Sequence, residues 1–247
     1  MVADTREAEL AAALAQIRGR IEAAAAAVSR NSAEILLLPV TKFFPADDVI
    51  LLHRLGCVDF GESREQEASK KVARVGEILG AEPIRWHMVG RIQRNKARAI
   101  AGWAYAAHSV DSIKVIDALA RGARAALDEG RRAEPLRVYV QVSLDGDENR
   151  GGVDVGKPDL LDATCAAAAE ADGLEFVGLM AIPPLGADPD AAFARLAAER
   201  DRVQRDYPQP LGLSAGMSSD LEAAVRHGST CVRVGTALLG QRPLPSP

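Results

Sequence analysis

The stretch Ile35-Leu36-Leu37-Leu38-Pro39-Val40-Thr41-Lys42 is an apolar run that ends on a lysine and is followed at once by Phe43-Phe44-Pro45. A continuous apolar run of this length predicts a strand buried on both faces, which is typical of parallel sheets covered by helices. Lys42 would lie at the carboxyl end of that strand, where barrels and open sheets of alternating strands and helices place their reactive groups. The sequence therefore predicts a candidate reactive amine at the end of a core strand.

Seven further strand-like segments follow, separated by helical patterns, so the predicted strands are 35–42, 57–60, 84–89, 105–110, 136–142, 174–180, 211–214 and 231–234. Eight strands alternating with helices predict a closed TIM-type (β/α)8 barrel, and their even spacing disfavours an open doubly wound sheet. An alanine-rich leading helix, within residues 1–30, precedes the first strand. We expect residues 1–247 to form one domain with a proline-rich tail at 241–247.

Composition narrows the class of protein and its partners. Apolar residues make up 48% and charged residues 26% of the 247 residues, which is typical of a globular chain. The formal net charge of −4 predicts no nucleic-acid partner. Three widely spaced cysteines predict neither a disulfide framework nor a metal site. We find no secretory signal and no apolar stretch long enough to span a bilayer, so we expect a cytoplasmic monomer with no membrane partner.

Lys42 is one of only six lysines, and arginine supplies most of the positive charge. Lysine, unlike arginine, readily becomes a neutral amine when it is desolvated, and a neutral amine can attack an aldehyde to form a Schiff base. The alternative is that the side chain of Lys42 simply reaches solvent from the end of the strand. Position alone leaves both interpretations open.

Two segments near the carboxyl terminus predict an anion site. Residues 214–220 read Ser-Ala-Gly-Met-Ser-Ser-Asp and open a helix, where small residues let backbone amides approach a ligand and the helix start favours an anion. Capping alone would explain Ser219. The second segment, Arg233-Val234-Gly235-Thr236, leaves the eighth strand in the same way. Loops after the last two strands of such barrels often build one phosphate site, which we predict here.

Other polar residues have plainer explanations. His87 lies in an apolar strand and can be a packed core residue or a ligand contact, and His53, His108 and His227 do not share metal-ligand spacing with it. The basic run at 91–96 predicts a solvated face, a second anion site or a partner surface. The polar loop at 145–152 predicts a rim segment or a substrate contact.

Six segments together resemble the pyridoxal phosphate homeostasis proteins in order and spacing, and these segments are residues 39–42, 60–67, 86–96, 178–183, 213–220 and 232–236. The resemblance implies a barrel like the amino-terminal domain of alanine racemases. It also implies that pyridoxal 5′-phosphate is carried as an internal aldimine on the lysine that matches Lys42. The same match places around the phosphate Ser214, Met217, Ser218, Arg233, Gly235 and Thr236.

One position departs from the family pattern. The family usually has asparagine at the position of Ser63, in a Gly-Glu-Asn sequence, and the resemblance implies that this side chain touches the cofactor. Serine is shorter and cannot supply the same amide. We keep Ser63 and His87 as further candidate contacts.

The resemblance implies a protein that buffers or delivers pyridoxal 5′-phosphate, with cofactor-dependent apoenzymes as possible partners and without catalytic turnover. The alternative is an amino-acid racemase-like enzyme, which needs a second base from a tyrosine on an additional domain. We expect the chain to have no room for that domain. Its own Tyr105 or Tyr139 can still point inward, which leaves the alternative open.

Overall fold

The computed structural model describes residues 2–147 and 150–241. The strands are β1 (Leu36–Pro39), β2 (Asp59–Glu62), β3 (Arg85–Met88), β4 (Ala106–Val110), β5 (Leu136–Ser143), β6 (Val153–Asp154), β7 (Leu174–Met180), β8 (Gly212–Ser214) and β9 (Cys231–Val234). The helices are α1 (Val2–Ala26), α2 (Ala46–Arg54), α3 (Glu65–Leu79), α4 (Ala97–Trp103), α5 (Ile113–Asp128), α6 (Pro158–Glu170), α7 (Pro189–Val203), α8 (Leu221–Arg226) and α9 (Thr236–Leu239). Residues 148 and 149 of the predicted rim loop and residues 242–247 of the predicted tail lie outside the described residues.

The strands form a parallel barrel, which confirms the predicted fold class. Their order is β1-β9-β8-β7-β5-β4-β3-β2, and β6 pairs only with β5, beside this path. A parallel bridge between Val40 and Gly61 joins the two ends of the order and closes the barrel. The first and last strands of the chain, β1 and β9, are hydrogen-bonded neighbours, with Leu38 opposite Arg233.

The predicted leading helix is present as α1, and it packs against the outside of the barrel. Leu10, Leu14 and Ile17 of α1 are almost fully buried in one apolar cluster with Leu221 of α8 and Val232 of β9. Each such side chain contributes about 1.5–3 kcal/mol when it is fully removed from water. The extra helix is therefore fixed to the part of the barrel that carries the two carboxyl-terminal segments. No described helix is long and apolar enough to cross a membrane.

Several predicted boundaries were wrong near the carboxyl ends of the strands. β1 ends at Pro39, so Lys42 lies in the turn beyond the strand. The second strand, predicted at 57–60, runs from Asp59 to Glu62, and its Gly61 forms the bridge with Val40 just after β1. A Cβ at Gly61 would lie 3.2 Å from Cγ2 of Val40. The short strand β6 was not predicted, because two residues are too few to produce a pattern.

Candidate functional site

The backbone before Lys42 is held on both sides. Val40 N donates to Val234 O on β9 at 2.9 Å, and Thr41 N donates to Gly61 O on β2 at 2.9 Å. Lys42 itself is exposed, and its Nζ lies 5.9 Å from the centroid of the Phe43 ring. Among the described residues Lys42 makes no ion pair, so its amine extends from a fixed backbone and can reach a ligand.

A buried charged cluster lies directly behind this backbone. Glu62 at the end of β2 is fully buried, and its Oε1 accepts hydrogen bonds from Thr41 Oγ1 at 2.6 Å and from Lys71 Nζ at 2.5 Å. Lys71 Nζ also donates to Thr41 O at 2.7 Å. The cluster fixes the residue that precedes Lys42. Glu62 Oε2 is buried and has no hydrogen-bond partner within the described chain, which normally costs about 1–3 kcal/mol.

Arg233 on β9 is the buried cation of the site, with 6% of the residue exposed. Its Nη1 donates to Ser214 O and to Ser214 Oγ, both at 2.6 Å, and its Nη2 donates to Ala181 O at 3.0 Å. Burial lowers the pKa of Arg233. These hydrogen bonds use three of the five guanidinium hydrogens, so within residues 2–147 and 150–241 the Nε hydrogen and one Nη2 hydrogen are left for a ligand.

The two predicted anion segments contact each other. Ala237 N donates to Ser218 Oγ at 3.2 Å, so the segment after β8 is joined to the start of α9. Met217 N donates to Asp220 Oδ1 at 2.6 Å, which holds the turn before α8. Met217 and Ser218 are half-buried, and Thr236 is exposed.

The second segment also lies beside the backbone that precedes Lys42. An added Cβ at Gly235 would lie 3.4 Å from Val40 O. The structure thus brings the chain before Lys42 next to the segment at 233–236, and that segment next to 214–218.

Ser63 and His87 occupy different surroundings. Ser63 is half-buried and packs against Gly90, where an added Cβ would lie 2.0 Å from Ser63 O. Ser63 also lines a cavity of about 370 Å³ together with Arg64, Arg91 and other residues. His87 is 3% exposed, and both of its ring nitrogens are hydrogen-bonded to protein groups, His108 and Asp59.

Arg20 of the leading helix holds the segment after β8. Its Nη2 donates to Ser218 O at 3.0 Å, and its guanidinium forms two hydrogen bonds with Glu222 at 2.6 and 2.9 Å. Neither Arg20 nor the pair of Glu62 and Lys71 was predicted from the sequence. An arginine in an alanine-rich helix gives no sequence signal that it holds a distant loop. A glutamate at the end of a buried strand, such as Glu62, is a signal that could have been detected.

The donor set fits a phosphorylated aldehyde. Within the described residues, the Lys42 amine has no ion pair and two guanidinium hydrogens of Arg233 have no hydrogen-bond partner. Together with the hydroxyls of Ser218 and Thr236, these groups can serve an aldehyde carbon and a phosphate. The strongest structural indication of an anion site is the buried guanidinium of Arg233, which hydrogen-bonds only to neutral oxygens within the described residues.

Comparisons with known proteins agree with this fold. The family described as "Alanine racemase, N-terminal domain" matches residues 12–243. A protein of Mycobacterium tuberculosis named "Pyridoxal phosphate homeostasis protein" is 61% identical over 248 residues, which cover 98% of this chain and 96% of that protein. PipY of Synechococcus elongatus, solved with PLP bound, is 33% identical with a TM-score of 0.77, covering 94% of this chain and all of that one.

Alanine racemase from Streptomyces coelicolor shares the fold alone. It is 18% identical with a TM-score of 0.67, and the match covers 92% of this chain and 58% of the racemase. The motif resemblance, the family match and the identity to the mycobacterial relative all agree. The chain belongs to the family of pyridoxal phosphate homeostasis proteins, which is built on the alanine racemase amino-terminal domain fold.

Proposed function

We propose that this protein binds pyridoxal 5′-phosphate at the carboxyl end of the barrel and acts in cofactor homeostasis, by buffering or delivery. The observation that carries the proposal is the meeting of three segments, 40–42, 214–218 and 233–236, at one end of the barrel. Membership of the family and the PLP bound to PipY support the choice of cofactor.

Each segment has a separate task in this proposal. When bound, the cofactor supplies an aldehyde that links covalently to a lysine amine, and we assign that attachment to Lys42. The hydroxyls of Ser218 and Thr236 would donate to phosphate oxygens, and Met217 and Gly235 would line the pocket. The charge of Arg233 favours an anionic ligand, and hydrogen bonds to charged groups contribute about 1.5–3 kcal/mol each.

We further propose that the protein has no catalytic turnover of its own. A racemase needs a second base next to the reacting carbon. Tyr105 precedes β4, and its ring packs between two arginines. Arg85 is the first residue of β3, and Arg137 is the second residue of β5. Those are the amino ends of the strands, opposite to Lys42. Tyr139 is stacked on His108 with ring centroids 4.5 Å apart, and burial raises its pKa well above the usual value, which disfavours the deprotonated form that a base requires.

The attachment is tested by the visible absorption band of the lysine-linked cofactor. Purified protein incubated with pyridoxal 5′-phosphate should show this band, and mild reduction should fix the label on the peptide that contains Lys42. Lys42→Ala should lose the band, whereas the exposed Lys70→Ala on α3 should keep it. A full band in Lys42→Ala would refute the assignment.

Buffering and delivery are separated by a transfer assay. The loaded protein is mixed with a cofactor-free, pyridoxal phosphate-dependent enzyme, and recovery of activity is compared with that from free cofactor at the same concentration. Faster recovery supports delivery, and recovery limited by release supports buffering. Incubation with single L-amino acids should yield no D-enantiomer, and sustained formation of a D-amino acid would refute the non-catalytic role.

A further inference from the structure

A chain of hydrogen-bonded side chains crosses the interior of the barrel. Arg233 Nη1 lies 2.6 Å from Ser214 Oγ, and Ser214 Oγ lies 2.7 Å from His108 Nδ1. His108 Nε2 lies 2.9 Å from His87 Nδ1, and His87 Nε2 lies 2.9 Å from Asp59 Oδ1. All five residues are at most 6% exposed.

The chain connects the two ends of the barrel. His108 on β4 and Ser214 on β8 are separated by β5 and β7 in the sheet, so their hydrogen bond passes through the interior. Asp59 begins β2 at the amino end, where Arg85 donates to both of its carboxylate oxygens at 2.8 and 2.6 Å. The opposite end of the chain is Arg233, in the candidate site.

The groups at its two ends fix the direction in which each hydrogen bond of the chain is donated. Arg233 can only donate, so Ser214 Oγ accepts from it. Asp59 is an acceptor when ionised, so His87 must donate through Nε2 and accept at Nδ1. His108 must then donate through Nε2 and accept at Nδ1, and Ser214 donates its hydroxyl hydrogen to His108. Every link is satisfied when both histidines are neutral and protonated on Nε2.

The electrostatics of the interior agree with this direction. Burial lowers the pKa of His108 well below its usual value, and the nearby His87 and Arg233 lower it further. Burial also lowers the pKa of His87, against the opposing effect of Asp59, while Arg85 and Arg137 add to the lowering. Burial raises the pKa of Asp59, but its hydrogen bonds with His87 and Arg85 outweigh this and the net pKa is lowered.

We propose that His108 and His87 are positioning residues for the cofactor site, which act through Ser214 to hold the Arg233 guanidinium in place. The inference rests on the proposed function, because Arg233 is assigned there to the cofactor. The one-way chain keeps the Ser214 oxygen available to Arg233. Loss of His108 would leave the Ser214 hydroxyl hydrogen without its acceptor, so the hydroxyl would no longer be held toward Arg233. The guanidinium would then keep only its hydrogen bonds to Ser214 O and Ala181 O.

The first test needs no cofactor. The protein has only four histidines, so the ring nitrogens of the ¹⁵N-labelled protein can be assigned by long-range ¹H–¹⁵N NMR. We expect His87 and His108 to be neutral Nε2–H tautomers at pH 7. Protonation on Nδ1, or a charged ring, at either residue would overturn the one-way chain.

The second test compares two variants beside the same ring. Tyr139→Phe keeps the ring that stacks on His108 and changes no link of the chain, whereas His108→Phe removes the link. The Arg233 guanidinium nitrogen signals should shift in His108→Phe and stay in place in Tyr139→Phe. Unchanged signals in a folded His108→Phe would overturn the positioning role. If His108→Phe does not fold, His87→Phe provides the comparison, because it removes the acceptor of His108 Nε2 without changing a partner of Arg233.

The third test measures the cofactor. His108→Phe should weaken pyridoxal 5′-phosphate binding about tenfold and shift the visible band, because a hydrogen bond that orients a charged group is lost. Tyr139→Phe should bind as the unchanged protein does. Equal binding by both variants would overturn the inference. Absence of binding by the unchanged protein would instead refute the proposed function, and the NMR tests would still decide whether the chain holds Arg233.

Discussion

Gly216 is a position where adding one methyl group should disturb the candidate site. It lies between Ser214 and Ser218 with φ of +93°, and its carbonyl accepts a hydrogen bond from Arg233 N at 2.9 Å. A Cβ at this position would lie 2.6 Å from Cβ of Ala224 on α8, a separation that real Cβ atoms essentially never show. Gly216→Ala must therefore move the backbone that supports Arg233.

Gly228→Ala is a matched control for this change. Gly228 has φ of +92°, so alanine suffers nearly the same backbone strain there, about 1–3 kcal/mol. Its nearest neighbour is Nη2 of Arg200 at 3.5 Å, which is an ordinary contact with a flexible side chain. The difference between the two variants isolates the collision, which should cost about 1–3 kcal/mol as in other overpacked cores.

The assay is thermal unfolding followed by cofactor titration. For a chain of this size about 1 kcal/mol shifts Tm by about 2–4 °C, so Gly216→Ala should melt about 2–12 °C below Gly228→Ala. Only Gly216→Ala should also bind pyridoxal 5′-phosphate more weakly, because its carbonyl is bonded to Arg233. Equal melting temperatures, or weaker cofactor binding in Gly228→Ala, would refute the reasoning from close packing.

Two further predictions follow from charged and titratable groups. Arg20→Ala should speed the dissociation of the cofactor about fivefold, because the half-exposed ion pair of Arg20 with Glu222 is worth about 1 kcal/mol. Arg18→Ala, on the exposed face of α1, should leave the dissociation rate unchanged. Equal dissociation rates in the two variants would contradict a role for α1. The free energy of unfolding should fall as the pH drops from 7 to 5.5. Burial lowers the pKa of His87 and His108 in the folded protein, so below about pH 6.5 these histidines take up protons in the unfolded chain first. Each histidine adds at most about 1.4 kcal/mol per pH unit to this loss, and a urea midpoint that does not change over this range would argue against buried neutral histidines.

The barrel and the location of the candidate site follow from patterns that are local in the sequence. The apolar run before Lys42 and the later strand-like segments give the correct fold class, and barrel closure requires the first and last strands to be neighbours. Lys42 and Arg233 could therefore be assigned to one end of the fold, although they are distant in the sequence. Boundaries such as the end of β1 were missed, because they depend on the Val40 to Gly61 contact between strands.

The supporting residues could not be predicted, because their roles depend on contacts between distant elements. Arg20 and Lys71 lie on helices where a charged residue predicts only a solvated face. His87 and His108 lack metal-ligand spacing, but β3 and β4 are neighbouring parallel strands, and the register pairs His87 with Ala106. The sequence did contain one signal for the hydrogen-bonded chain in the barrel interior. Several apolar strands each carry a polar residue, and Asp59 is one of these.

The direction of the interior chain also explains how a buried arginine can be kept available for an anion. Arg233 bonds only to carbonyl and hydroxyl oxygens, and no carboxylate forms an ion pair with it within the described residues. The carboxylate of the chain, Asp59, is neutralised by Arg85 at the opposite end. A buried charge without a counter-charge costs free energy. A phosphate that supplies the counter-charge recovers part of that cost, and in the proposed function this gain contributes to the affinity for the cofactor.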